Sequence, residues 1–553
     1  MTQANTTLIG HITQVRGNEL QARVLGVDEG FTPTVNQGEE EQIVGQLGNY
    51  VSIRQSGLRV LALVSRIEEG GRSAADRASR TPAGCLMALT PLGEINDKNQ
   101  FQRGVRHYPT PGAEVHAVEG EEINAIFAKN RPMRFGAGYL RQHPATTVYL
   151  DPTAMFCRHF AILGQSGSGK SWSVASIIQR AVTAMPKAHI ILLDLHGEYC
   201  WRRDDGSLNS AFPPDKTRYL DARELEIPYW LMTFAELVDL LIDRSDRGAT
   251  TQIAYLREVL ADLKNKSARE LGIPNVSIDA PIYFPLWDVY KSFKEANEQR
   301  SDFGKTTGPL FGQFDEFLVK LNSRLSDVRY DFLLSPKRRN KSETLSTLLR
   351  DFVGLGDPKA QITVIDISPV PFDVRPAVSA QIGRLAFEFN YWNPKSREFP
   401  ISLICEEAHA YIPNERGGQY EGAKKSMERI AKEGRKYGVG LGVVSQRPHE
   451  LSETVLAQCG TYLCLRITNP DDQAYIKKLV PEGEADLVDI LAALGRGEAM
   501  VMGEGAPLPT RFQVFKPDPP PNSNDVDFHT GWREGPDDLD IDSIVDHWRR
   551  QGR

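Results

Sequence analysis

Gly164-Gln165-Ser166-Gly167-Ser168-Gly169-Lys170-Ser171 fits the pattern G-x-x-x-x-G-K-[ST] in full. The apolar run Phe160-Ala161-Ile162-Leu163 before it reads as a short buried strand, and Trp172 to Ala184 after it has the apolar spacing of a helix. Strand, glycine-rich turn and helix together make a phosphate site. The glycines let the backbone curl so that its N–H groups point inward, and the helix N-terminus adds partial positive charge. Lys170 is placed to reach the β- and γ-phosphates of ATP, and the Ser171 hydroxyl to hold Mg²⁺. The candidate nucleotide-binding set is Gly164, Gln165, Ser166, Gly167, Ser168, Gly169, Lys170, Ser171 and Trp172.

A chain of 553 residues leaves room for about three domains with ample core. The net charge of −7 does not exclude nucleic acid, because basic residues can gather in one channel while the outside stays acidic. The six cysteines (Cys85, Cys157, Cys200, Cys405, Cys459 and Cys464) form no C-x-x-C pair, so neither a zinc site nor a disulfide framework is expected. Met1-Thr2-Gln3-Ala4-Asn5 lacks the basic start and apolar stretch of a signal peptide, and no apolar run is long enough to span a membrane. A cytoplasmic protein without membrane contact is the expectation.

Working outward, residues 1–145 read as short strands with Gly/Pro turns, the pattern of a small β-barrel used for assembly or partner docking. Glu68 to Ala83, with Arg72, Arg77 and Arg80, reads as an exposed loop. From about 146 the pattern alternates strand and helix. Residues 146–207 and 359–516 form the expected ATPase core, 208–358 a helical insertion, and 517–553 a linker with an acidic tail. Within the insertion Phe234 to Lys264 has one long helical pattern, and Lys337-Arg338-Arg339-Asn340-Lys341 is a basic cluster, either a solvated turn or a nucleic-acid contact, the turn being favoured.

Carboxylates recur at strand ends. Asp194 closes the apolar run Ala188 to Leu193, and with Glu198 is a candidate to support Mg²⁺ or the attacking water, a helix cap and a surface loop being the alternative. Glu406 and Glu407 close the run Ile401 to Cys405. One carboxylate of such a pair supports the metal, which is assigned to Glu406, and the next polarises water, which is assigned to Glu407. Ser171, Glu406 and Asp194 are thus the metal-site candidates. Gln446, after the strand Val439 to Ser445, is placed to sense the γ-phosphate, and the basic face Arg429, Lys432, Arg435 and Lys436 before that strand offers an arginine finger in trans.

With these residues in place the chain resembles the HerA family of the FtsK/HerA superfamily of hexameric ATPases. The resemblance runs through Arg158-His159-Phe160 to the phosphate loop, Asp194-Leu195-His196-Gly197-Glu198-Tyr199, and Pro228-Tyr229-Trp230-Leu231-Met232-Thr233. It continues through Glu406-Glu407-Ala408-His409, and from Glu433-Gly434-Arg435-Lys436-Tyr437-Gly438 to Ser445-Gln446-Arg447-Pro448. It implies an α/β fold: a RecA-like P-loop ATPase sheet domain with an N-terminal β-barrel and a helical insertion. It implies a homohexameric ring that threads double-stranded DNA, driven by ATP with Mg²⁺, through a channel that Asn414 to Lys425, with Arg416, Lys424 and Lys425, is expected to face, an ordinary solvated loop being the alternative. Arg435 then matches the trans finger, Arg158 a second trans arginine, and Gln446 the polar sensor. A separate nuclease or NAD-consuming effector subunit is the implied partner, for DNA end processing or anti-phage defence. The competing expectation is a nucleotide-gated hexameric scaffold that regulates an effector without sustained translocation.

Overall fold

The computed structural model describes residues 7–25, 34–37, 40–43, 45–69, 85–141, 143–203, 206–301, 306–415, 420–524 and 526–550. The chain forms two compact units. The first joins Met1–Pro186, Glu407–His409 and Gly440–Pro520; the second joins Lys187–Glu406, Ala410–Val439 and Pro521–Arg553. No helix among the described residues is long and apolar enough to cross a membrane.

The first unit opens with a closed barrel. Its strands lie in the order Glu19–Val24, Leu8–Arg16, Glu114–Ala117, Tyr50–Gln55, Leu58–Glu69 and Cys85–Ile95, and the last pairs back onto the first. Alternation along the strands turns Ile9, Leu20, Val51, Ile53, Val60 and Leu89 into one apolar interior, and Phe101–Arg103 adds a short further strand beside Cys85–Ile95. The barrel is shorter than the 1–145 expected from sequence. Gly136–Leu140 pairs instead with Thr510–Val514, near the other end of the chain, a partner that local patterning cannot reveal. Of the basic loop expected at Glu68 to Ala83, residues 70–83 lie outside the described residues.

Seven more strands of this unit lie in the order Thr147–Tyr149, Gly136–Leu140, Thr510–Val514, Glu498–Gly503, Thr461–Cys464, Phe160–Leu163 and Val439–Ser445. Phe160–Leu163 runs parallel to both of its neighbours and is buried throughout, as its unbroken apolar sequence requires. Gly442 is needed beside it, since a Cβ there would stand 2.3 Å from the Phe160 ring.

The second unit holds four parallel strands in the order Ile401–Cys405, Ile190–Asp194, Ile362–Asp366 and Thr217–Asp221. The first three are buried along their whole length. Thr217–Asp221 falls inside the stretch expected to be a helical insertion, so the helical part starts after it. The single helix expected over Phe234 to Lys264 is two, Phe234–Leu241 and Ala249–Glu270. A capping box between Thr233 and Glu236 starts the first. The break falls at Asp243, whose carboxylate accepts the Ser245 N–H and hydroxyl, a local alternative to helical hydrogen bonds.

Candidate nucleotide site

In the first unit the phosphate loop leaves the C-terminal end of Phe160–Leu163 and enters the helix Lys170–Ala184. Its frame is pinned from outside. Gln165 donates its N–H to Arg466 O, and its Oε1 accepts the N–H and hydroxyl of Thr468 at 3.1 and 2.7 Å. The Ser168 hydroxyl closes the loop on Gln165 O at 2.7 Å, and Ser168 O accepts the Gly497 N–H. Gly169 caps the helix at φ +100°, backbone that a side chain would strain, with Gly497 3.2 Å from where a Cβ would stand. The N–H groups of Gly167, Gly169, Lys170 and Ser171 have no acceptor among the described residues. That cradle of inward donors at a helix start fits a chain of phosphates.

Lys170 is buried within this cradle, and its Nζ lies 3.9 Å from Oε1 of Glu407. Glu407 adopts φ +45°, left-handed backbone that costs a non-glycine residue about 1–2 kcal/mol. Strain of this kind concentrates at functional positions. His409 Nδ1 stands 3.3 Å from Glu407 Oε2 and 3.1 Å from the Ser445 hydroxyl, which accepts the Arg447 N–H. Ser445, His409, Glu407 and Lys170 thus form one connected row. Parallel pairing sets Ser445 opposite Leu163, so Gln446 follows its strand at the level where the phosphate loop begins. His409 stands two residues after Glu407, and that spacing is the signal the sequence offers for its place beside it.

In the second unit Asp194 has a different task. Its Oδ1 accepts the N–H groups of His196, Gly197 and Glu198 at 3.1, 2.8 and 3.3 Å, and Oδ2 accepts that of Tyr199 at 3.0 Å. A carboxylate has about four acceptor sites, and four backbone donors fill them. Asp194 therefore anchors its own loop rather than capping a helix, and its acceptor sites are taken by backbone donors. Burial pushes its carboxyl up to about 7; the Tyr199 N–H opposes this and Asp366 adds to it. Tyr199, buried and stacked on Phe212, donates its hydroxyl to Glu406 Oε1 at 2.7 Å. Glu406 is thereby oriented by Tyr199, leaving Ser171 as the more accessible metal candidate.

The cations separate into engaged and available ones. Arg158 pairs with Glu504 of its own chain. It also sits before the strand Phe160–Leu163, roughly 20 Å of extended chain from Gly164 at about 3.3 Å per residue. Arg429 is held by Glu388 at 3.2 Å and lies over the Phe387 ring at 4.2 Å, and Lys432 pairs with Glu428. Arg435 is exposed and makes no ion pair among the described residues. Lys424 is buried and donates to Asn414 O and Glu415 O. Lys425 is exposed beside Glu421, and Arg416 lies outside the described residues.

The fold and this row of groups define a P-loop nucleotide hydrolase. The family description "Helicase HerA, central domain" matches residues 135–384, and "Helicase HerA-like C-terminal" matches 406–522. Together they take in about two thirds of the chain, which belongs to the HerA family and is an ATPase. The chain is 27% identical over 465 residues to the DNA double-strand break repair helicase HerA of Pyrococcus furiosus, covering 80% of this chain and 78% of that protein. It is 28% identical to a probable DNA double-strand break repair helicase HerA of Methanocaldococcus jannaschii, covering 76% and 84%. Among solved structures, VirB4 of Thermoanaerobacter pseudethanolicus is 15% identical with a TM-score of 0.44, covering 69% of this chain and 96% of that one. Plasmid coupling protein TrwB with a non-hydrolysable ATP analogue is 14% identical with a TM-score of 0.42, covering 72% and 92%.

Proposed function

We propose that this chain is an ATP-driven translocase or helicase on double-stranded DNA. It assembles as a homohexameric ring and works with a separate nuclease or NAD-consuming effector, in DNA end processing or anti-phage defence. The observation that carries the ATP-driven part is the row Lys170, Glu407, His409 and Ser445 at the mouth of the phosphate cradle. Support for DNA as the track comes from the relatives, which are named as DNA break-repair helicases.

The chemistry follows from where the groups stand. The cradle N–H groups and Lys170 hold the phosphates. Glu407, steadied by His409, takes the proton of the attacking water. Gln446 reads the γ-phosphate from the adjoining strand end. Ser171 would hold Mg²⁺, which neutralises phosphate charge when bound. Arg435, exposed and without an ion pair among the described residues, is the finger offered to a neighbouring subunit's site. Arg158 would serve as a second such arginine only by exchanging Glu504 for a neighbour's nucleotide.

Steady-state ATP hydrolysis with and without duplex DNA tests this reading. Stimulation by duplex DNA, abolished in Lys170→Ala and Glu407→Gln, is the expected result. Turnover indifferent to DNA but responsive to an added partner protein would replace the translocase with the nucleotide-gated scaffold.

A further inference from the structure

The motif Pro228-Tyr229-Trp230-Leu231-Met232-Thr233 has no part in the nucleotide chemistry, yet its buried polar groups hold neighbouring backbone in place. The buried Trp230 donates its indole N–H to the carbonyl of Arg339 at 2.8 Å. Two residues before the motif, Glu226 is buried and adopts left-handed backbone at φ +48°. Its carboxylate accepts three successive backbone N–H groups, from Lys337, Arg338 and Arg339, at 3.3, 2.7 and 3.2 Å. Arg339 turns inward and pairs with Asp351 at 3.0 Å. One buried carboxylate, one buried indole and one internal arginine therefore fix the backbone of a single short surface loop.

That loop presents cations. Lys337, Arg338 and Lys341 are exposed and make no ion pair among the described residues. A solvated turn needs no such frame. Strained backbone at Glu226 and a buried charge spent wholly on loop amides are costs that fixing the loop must offset. A rigid loop loses less conformational freedom when its side chains meet a ligand. The spacing of cations along it, with no acidic partner drawn in, suits a polyanion that offers phosphates in a row.

We infer that the loop Lys337-Arg338-Arg339-Asn340-Lys341 is a phosphate-backbone contact for duplex DNA, preset by Glu226 and Trp230. This reverses the sequence expectation of a solvated turn, and it rests on the DNA-translocase reading. The contact is sequence-independent, because phosphates position a protein on DNA without reporting base identity.

The test is the salt dependence of binding of the full-length protein to a short blunt duplex, for wild type and for the triple variant Lys337→Ala, Arg338→Ala, Lys341→Ala. All three side chains are exposed, so the variant is expected to melt with the wild type. Each phosphate contact contributes about 0.9 to the slope of log affinity against log salt. The triple variant should therefore bind with a slope shallower by about two to three, and more weakly at low salt on duplexes of any sequence. If wild type binds duplex with a steep slope and the variant matches it, the loop is not a DNA contact and the translocase reading stands. If wild type itself shows no salt-dependent duplex binding, both fall.

Discussion

Two loops in this chain leave buried parallel strands in the same way and use their backbone N–H groups in opposite ways. After Leu163 the phosphate loop is tied down through Gln165 and Ser168, while the donors of Gly167, Gly169, Lys170 and Ser171 are left without protein acceptors among the described residues. After Leu193 the loop 194–199 gives its donors to the Asp194 carboxylate. One loop keeps its positive potential for a ligand. The other cancels it internally and becomes a strut, passing through Tyr199 to Glu406. A strand-end loop is therefore not a ligand site by topology alone; what decides is where its N–H groups point and what they already hold.

The largest effect that could break this contrast comes from the first loop. Lys170→Ala removes the one buried cation of the cradle and should lower ATP turnover by at least about 10²-fold, with nucleotide binding weakened in titration calorimetry. Glu407→Gln keeps the shape but cannot take the proton, so turnover should fall by about 10²–10⁴ while ATP binding survives. Similar turnover in Glu407→Gln and wild type would remove Glu407 from the chemistry.

A smaller effect sharpens the geometric side. Gly169→Ala puts a side chain at φ +100°, costing about 1–2 kcal/mol, read as a lower denaturant midpoint together with weaker ATP binding. Tyr199→Phe, in the second loop, removes one hydrogen bond to Glu406 worth about 1 kcal/mol. Turnover should fall by roughly fivefold at that energy with KM for ATP unchanged, because Tyr199 orients Glu406 and does not hold phosphate. A rise in KM alone would place Tyr199 in nucleotide binding.

The smallest effect is on pH. The folded carboxyl of Asp194 is raised from 3.8 to about 7 by burial, so its stabilising share is full below about 4 and is lost as pH rises through about 7. Melting temperature should decline across that window in wild type and decline less in Asp194→Asn. Parallel curves would mean that the buried carboxyl does not titrate there.

Much of this was legible in the sequence, for physical reasons. The largely apolar runs at Phe160–Leu163, Ile190–Asp194, Ile362–Asp366 and Ile401–Cys405 announce parallel strands buried on both faces, and all four are found. The phosphate loop carries its own signature because its conformation demands glycine and its chemistry demands Lys170. What sequence could not give was partner choice. Gly136–Leu140 pairs with a strand from the far end of the chain, and Thr217–Asp221 joins the sheet from within a stretch patterned as helix. Residue type also does not report occupancy. Lys424, Arg429 and Arg158 read as available cations until their partners, two backbone carbonyls, Glu388 and Glu504, are in view. Asp194 reads as a metal acid until its four amide donors are counted.

The contrast between the two loops is tested most directly by amide hydrogen–deuterium exchange of the Glu407→Gln protein, with and without ATP. The amides of Gly167, Gly169, Lys170 and Ser171 should exchange quickly without nucleotide and become protected on adding it. Those of His196 to Tyr199 should already be slow and not change. No added protection at Gly167, Gly169, Lys170 and Ser171, or new protection confined to His196 to Tyr199, would overturn the contrast.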